Sequence, residues 1–82
     1  MEKNFEYALL TTRMEEYRFS QNTLANAIGI GRTAMNLKFN NKSFFTQKEI
    51  RDICEVLDIP SNKVGKYFFE IKVRKTEFKK GG

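Results

Sequence analysis

Residues Phe19 to Lys42 read FSQNTLANAIGIGRTAMNLKFNNK, and the fold is decided in this stretch. Ser20 is a favourable N-cap, because its hydroxyl can accept from one of the free N–H groups that open a helix. From there Gln21, Leu24, Ala25 and Ile28 carry a helix of roughly two turns. Gly29 stops it, since glycine takes the left-handed conformation that ends helices without a Cβ penalty. The bend Gly29-Ile30-Gly31 leads into a second helix, from Arg32 to about Phe39, with Met35 and Phe39 four residues apart on one face. Asn40, Asn41 and Lys42 end it.

Working outward, Tyr7, Leu10, Met14 and Tyr17 repeat at the i, i+3, i+7, i+10 spacing of a helical face and predict a helix from about Asn4 to Tyr17. Downstream, Thr46 and Glu49 form an S/T-x-x-E capping box, Phe45 is placed to staple against Ile50, and Ile50, Ile53, Cys54 and Leu57 make an apolar stripe. Pro60 fits a break after Ile59, and Ser61 can cap a last short helix containing Val64, Tyr67 and Phe68. Beyond it Phe69, Ile71 and Val73 alternate with Glu70, Lys72 and Arg74, the period of a strand. A lone strand leaves its backbone groups unpaired, so the segment pairs with a local strand, pairs with another chain, or lies irregularly against the helices. The expected fold class is all-α. A compact five-helix domain spans residues 1–69, and residues 70–82 form a short C-terminal β-strand or extended tail.

At 82 residues the chain is one domain that buries about 60 to 65% of its unfolded surface, so a partner subunit would help its stability. Eight Phe and three Tyr suffice for a compact core. A net charge of +5 suits a polyanionic partner, and its distribution says more. Between Glu16 and Glu49 there is no Asp or Glu, while Arg18, Arg32, Lys38, Lys42 and Lys48 all fall there. By contrast Glu49, Asp52, Glu55 and Asp58 face only Arg51 in the next segment.

Cys54 is the single cysteine, which excludes an internal disulfide, and the absence of His leaves a conventional zinc site short of ligands. It also removes the commonest general base and the usual activator of Ser or Cys nucleophiles. The chain therefore reads as a binding module and not an enzyme, with no catalytic residues, metal, cofactor or small-molecule ligand expected. No apolar run approaches 18 residues, and MEKNFEYALL lacks the basic start and apolar core of a signal peptide. A cytoplasmic location, away from any membrane, is expected.

The stretch Phe19–Lys42 resembles the helix-turn-helix of Cro/CI-type phage repressors, the lambda-repressor-like or XRE-type regulators. The match runs without a gap. Ser20 and Gln21 correspond to the polar start of the family's second helix, Leu24 and Ala25 to its Leu-Ala pair, and Gly29, Ile30 and Gly31 to its turn. Asn40 falls where the family has the Asn of a closing Asn-Gly. A looser likeness continues to about Phe69. Ala25 then stands where the two helices cross, and Leu24, Ile28, Ile30 and Met35 should be core. Two positions depart from the pattern. Gly31 replaces the more usual Ser or Thr cap, and Lys38 occupies a position that is normally apolar. Either Lys38 buries its stem while its charge reaches solvent or phosphate, or the helix turns so that Leu37 takes its place inside.

The resemblance implies that helix 32–39 lies in the major groove of duplex DNA, with Arg32, Thr33 and Asn36 at the base edges. Their chemistry suits the task. Arg32 has the donor fork for guanine O6 and N7, Thr33 offers a methyl or hydroxyl, and Asn36 can bind adenine through two hydrogen bonds. Gln21 sits at a helix N-terminus that attracts phosphate, and its amide is placed to brace Arg32. Lys38, Asn40, Asn41 and Lys42 are expected on the sugar-phosphate backbone, with capping of the helix as the other role for Asn40. Phe44 and Phe45 suit either a stacking platform for single strands or, for Phe45 above all, the core. A homodimer on a palindromic operator is expected, held by Phe69, Ile71 and Val73. Together these imply a Cro-like phage or prophage transcriptional repressor. The alternative is a protein-interaction module, such as an antirepressor that keeps the fold but binds a repressor instead of DNA.

Overall fold

A computed structural model describes residues 5–71. Asn4, where the first helix was expected to begin, and Val73 of the expected strand lie outside the described residues. Five α-helices make up the fold: α1 Ala8–Glu16, α2 Gln21–Ile28, α3 Arg32–Phe39, α4 Gln47–Val56 and α5 Val64–Phe68, the last preceded by a 3-10 turn over Ser61–Lys63. The described residues form a compact all-helical domain with no strand.

The bounds of α2, α3 and α4 follow from local chemistry. Ser20 accepts from the Thr23 N–H at 3.1 Å while the Thr23 hydroxyl accepts from the Ser20 N–H at 2.9 Å, a reciprocal capping box. Gly29 closes α2 at φ +81°, and a Cβ there would meet nothing within 4 Å. Backbone conformation, not space, therefore calls for glycine at this turn. Gly31 caps α3 in extended conformation without a side-chain bond. At α4 the box forms as its motif predicts, with Thr46 Oγ1 accepting from Glu49 N–H at 3.1 Å and Glu49 Oε1 from Thr46 N–H at 2.9 Å. The first helix is shorter than its apolar spacing suggested. It begins at Ala8, because Phe5 and Glu6 are drawn into backbone pairing with the far end of the chain.

Leu10 and Met14 of α1, Leu24, Ala25 and Ile28 of α2, Met35 of α3, Ile53 of α4 and Phe68 of α5 meet in one core with Tyr7, Leu57 and Ile59. Ile30, expected inside, is only half-buried at the turn. Phe45 joins the layers, with edge-to-face contacts to Tyr7, Phe39 and Phe68 at centroid distances of 5.7, 5.6 and 5.6 Å. It thereby takes the core role. Arg13 reaches from α1 to the end of α4, where its Nε donates to the Leu57 carbonyl at 2.9 Å and its guanidinium also to that of Asp58. Those carbonyls lack helical partners, so a cation there satisfies them and the negative end of the helix dipole together.

The alternating segment does not become a strand within the described residues. Phe69 caps α5, the Glu70 carbonyl accepts from the Glu6 N–H at 2.6 Å, and Ile71 makes one antiparallel bridge with Phe5 of the same chain. Of the pairings open to it, the described part takes the local one. No helix among the described residues is long and apolar enough to cross a membrane.

Candidate nucleic-acid interface

The α2–α3 pair presents a shallow polar cleft lined by Ser20, Gln21, Asn22, Arg32, Thr33 and Asn36. Two short helices meet there with their N-terminal turns toward the cleft. Their crossing is made close by Ala25, which is 1% exposed, over the buried Leu24, Ile28 and Met35. Met35 on the inner face of α3 leaves Arg32, Thr33 and Asn36 on the outer one, all exposed. No acid lines the cleft.

The polar groups are ordered among themselves. Asn36 donates from Nδ2 to the Gln21 amide oxygen at 3.5 Å, and its own Oδ1 accepts from Asn40 Nδ2 at 3.2 Å. Asn40 Nδ2 also caps the Asn36 carbonyl at 3.0 Å. A row of amides thus runs from the start of α2 across the middle of α3 to its end. Gln21 braces Asn36, where bracing of Arg32 was expected. Asn40 combines capping with a place in the row. Arg18, Arg32 and Lys42 are exposed, and among the described residues none of them has an ion-pair partner.

Two residues expected on the sugar-phosphate backbone are committed elsewhere. Lys38 is 8% exposed, and its ammonium donates to the Phe44 carbonyl at 3.0 Å, pairs with Glu49 Oε1 at 3.2 Å and faces the Phe45 ring at 6.0 Å. A buried ammonium requires such partners, and this set takes Lys38 out of the phosphate-facing group. It also fixes the rotation of α3, with Lys38 inside and Leu37 42% exposed. Asn41, at φ +62°, accepts from the Phe5 N–H at 2.8 Å and donates to the Phe5 carbonyl at 3.1 Å. Its amide clamps the N-terminal segment and leaves the set as well.

Asn22 also lines the cleft and was not singled out from the sequence, while Ser20, which lines it too, was read there only as a helix cap and start. Their signal was their place beside Gln21 in the first turn of α2. Phe44, 63% exposed, packs edge-on against Phe5 at 6.0 Å. Phe69 and Ile71, expected at a dimer contact, are 51% and 44% exposed. The described residues hold no group of three His, Cys, Asp or Glu arranged for a metal. Among the described residues Tyr7 and Cys54 have shifted acidity; neither lines the cleft, and burial pushes both the phenol and the thiol up. What the cleft offers is hydrogen-bond donors and acceptors beside a cation, a surface for recognition.

A family described as a protein of unknown function, DUF739, matches residues 3–71, which take in every described residue. The chain belongs to this family. Among solved structures it is similar to the solution structure of the modulator of repression (MOR) of the temperate bacteriophage TP901-1 from Lactococcus lactis. The two share 30% sequence identity over 85% of this chain and 95% of that one, with a TM-score of 0.71. No curated protein matches the chain. The DUF739 match extends through Ile71, where the chain pairs with Phe5.

Proposed function

We propose that this DUF739 protein is a small phage regulatory protein that binds an operator in duplex DNA and represses transcription in the manner of a Cro-type regulator. The observation that carries the reading is the exposed row Arg32, Thr33 and Asn36 on a helix whose inner face is locked by Met35 and Lys38. In this reading α3 enters the major groove, Arg32 contacts guanine, and Asn36, held by Gln21 and Asn40, contacts adenine. Pre-ordering of Asn36 lowers the entropy lost when it docks. Lys42 and Asn40 meet the phosphates at the end of α3. Two copies associate through Phe69, Ile71 and Val73, placing two reading helices about 34 Å apart on a palindromic site. The similarity to a structure titled a modulator of repression of a temperate phage supports the regulatory setting.

Selection of bound duplexes from a random library tests this reading. Enrichment of symmetric sites is expected, while failure to enrich any sequence at low salt would overturn it. The dimer is checked separately by sedimentation velocity at micromolar concentration, where a monomer that still binds palindromic sites as a single copy would exclude it.

A second reading is favoured by one observation. Leu37 lies 42% exposed beside Asn36 on the outer side of α3, and an apolar side chain there suits contact with a protein as well as with a thymine methyl. Under this reading the same face binds a repressor and keeps it from its operator, a role in keeping with the word modulator. Retention of a repressor protein, with no binding of duplex DNA, would select it.

A further inference from the structure

Behind α3, side chains of the described residues surround a cavity of about 270 Å³. Phe5 and Tyr7 reach it from ahead of α1, Phe44 and Phe45 from ahead of α4, and Ile50 from α4 itself. Phe68 and Phe69 close it from the end of α5. No small-molecule ligand was expected from the sequence, since spacing within one helix does not reveal a site assembled from four separate segments. The rings stand edge to face. Phe5 meets Phe44 at 6.0 Å and Phe69 at 5.9 Å between centroids, and Phe45 meets Tyr7 at 5.7 Å and Phe68 at 5.6 Å. Such a box offers both ring faces and ring edges to a guest.

The chemistry of the lining restricts what can enter. None of these described side chains is charged, and the Tyr7 hydroxyl is their single polar group. An ion or a sugar would lose its hydration there without replacement. Several backbone groups of the lining residues are already committed: the Phe5 N–H and carbonyl to Asn41, the Phe44 carbonyl to Lys38, and the Phe69 N–H to the Gly65 carbonyl. Water is poorly held as well, because an ordered water needs about two to four polar partners. By size, a cavity of about 150 Å³ lined by Leu, Ile and Phe holds benzene, so the larger one here takes a molecule of one or two rings. Phe44 and Phe69 are 63% and 51% exposed, so the cavity is reached from solvent between apolar side chains, and apolar groups gathered at such an opening mark a binding surface.

We propose that this aromatic cavity binds a small, uncharged, planar aromatic molecule. The site shares no residue with the cleft of Arg32, Thr33 and Asn36 and goes beyond the DNA-reading function proposed above. A guest ring displaces weakly held water and covers the exposed faces of Phe44 and Phe69. Two walls connect the site to the end of α3. Phe45 packs against Phe39 at 5.6 Å and faces the Lys38 ammonium, and Phe5 is clamped by the Asn41 amide. A bound molecule therefore steadies the wall against which α3 ends.

Indole is the probe, because it is uncharged and two-ringed and the chain contains no Trp to obscure its fluorescence. Titrated with the full chain, it should bind saturably with a Kd of about 100 to 500 µM. Backbone amide resonances should move around Phe5, Tyr7, Phe45 and Phe68 and stay in place around Arg32. At about 2 mM indole the thermal midpoint should rise by about 4 to 14 °C, while benzoate, similar in size but charged, should leave it unchanged. Ile50→Phe fills the cavity and should abolish binding, and Phe44→Ala removes an exposed wall and should weaken it roughly three- to tenfold. Melts without indole show that each variant folds; if Ile50→Phe does not, Phe44→Ala carries the test. Resonances unmoved at the cavity, an equal rise with benzoate, or undiminished binding by the folded variants would overturn the proposal. Self-association in sedimentation velocity that indole disrupts would assign the cavity to a side chain of a second copy and also overturn it. Each of these outcomes is read without DNA, so failure here is distinct from failure of the reading by α3.

Discussion

Between Ser20 and Phe39 each turn is set by residues within a few positions of one another. At the seam of Phe5, Asn41 and Ile71, by contrast, the bonds join residues 36 or more positions apart. The first region is held by a capping box, a left-handed glycine and an alanine at a crossing. The second is held by one asparagine amide and a single bridge between the two ends of the described chain. The comparison teaches that the polar face of α2 and α3 is shaped locally, whereas the joining of the two described ends of the chain depends on a few long-range bonds. Lys38 belongs to neither kind, since its place in α3 is local but its partners Phe44 and Glu49 lie beyond the helix.

The largest break in the local region should come from Glu49. Replacing Glu49 with Ala removes both the partner of a mostly buried ammonium and the acceptor for Thr46 N–H, and should cost about 2 to 4 kcal/mol in urea unfolding, the pair being slightly exposed. The double variant K38M/E49Q should recover most of that, because Met fills the space of the lysine stem and Gln keeps the capping bond. Equal losses in the single and double variants would mean the ion pair is not what holds α3 against the loop.

At the seam, Asn41→Ala should cost about 2 to 3 kcal/mol, from two hydrogen bonds and the left-handed backbone that Ala tolerates poorly. Asn41→Gly should cost less, since glycine relieves the backbone and loses only the bonds. The difference between the two, read from chemical denaturation, separates clamp from conformation. At the turn between α2 and α3, Gly29→Ala should cost about 1 to 2 kcal/mol through φ alone, since the added methyl meets nothing. A loss well above that would point to a packing contact at the turn.

The smallest effect concerns Tyr7, which packs between the seam and the core. Burial raises its phenol above the ordinary value of 10.0, so the folded state holds the proton more tightly than the unfolded one. Its contribution is fully present below pH 10 and is lost as pH rises through the folded value. An alkaline absorbance titration should show a phenol ionising above the ordinary value, and Tyr7→Phe should remove that step. A titration without it would contradict the burial of Tyr7.

The same contrast explains what could be read from the sequence. The ends of α2, α3 and α4 were legible because Ser20, Gly29, Gly31 and Thr46 act on their immediate neighbours. The exposed row of Arg32, Thr33 and Asn36 followed from helical spacing once Met35 was assigned inside. The partners of Lys38 and Asn41 were not legible. Spacing within α3 does not show that Glu49 and the Phe44 carbonyl come to meet an ammonium, and nothing near Asn41 announces Phe5. The pull of Phe5 and Glu6 toward Glu70 and Ile71 likewise shortened α1 against its own apolar periodicity. The reciprocal box of Ser20 and Thr23 was missed because the usual motif has Glu or Gln at the third position.

Under the proposed function, Arg32 chooses sequence while the charges around it supply affinity. Titrating Arg32→Ala onto a selected operator and onto a random duplex at one salt concentration tests it most directly. The account predicts that preference for the operator falls by roughly ten- to a hundredfold, the worth of one bidentate base contact, with binding to the random duplex little changed. An equal loss on both duplexes, or an undiminished preference, would contradict it.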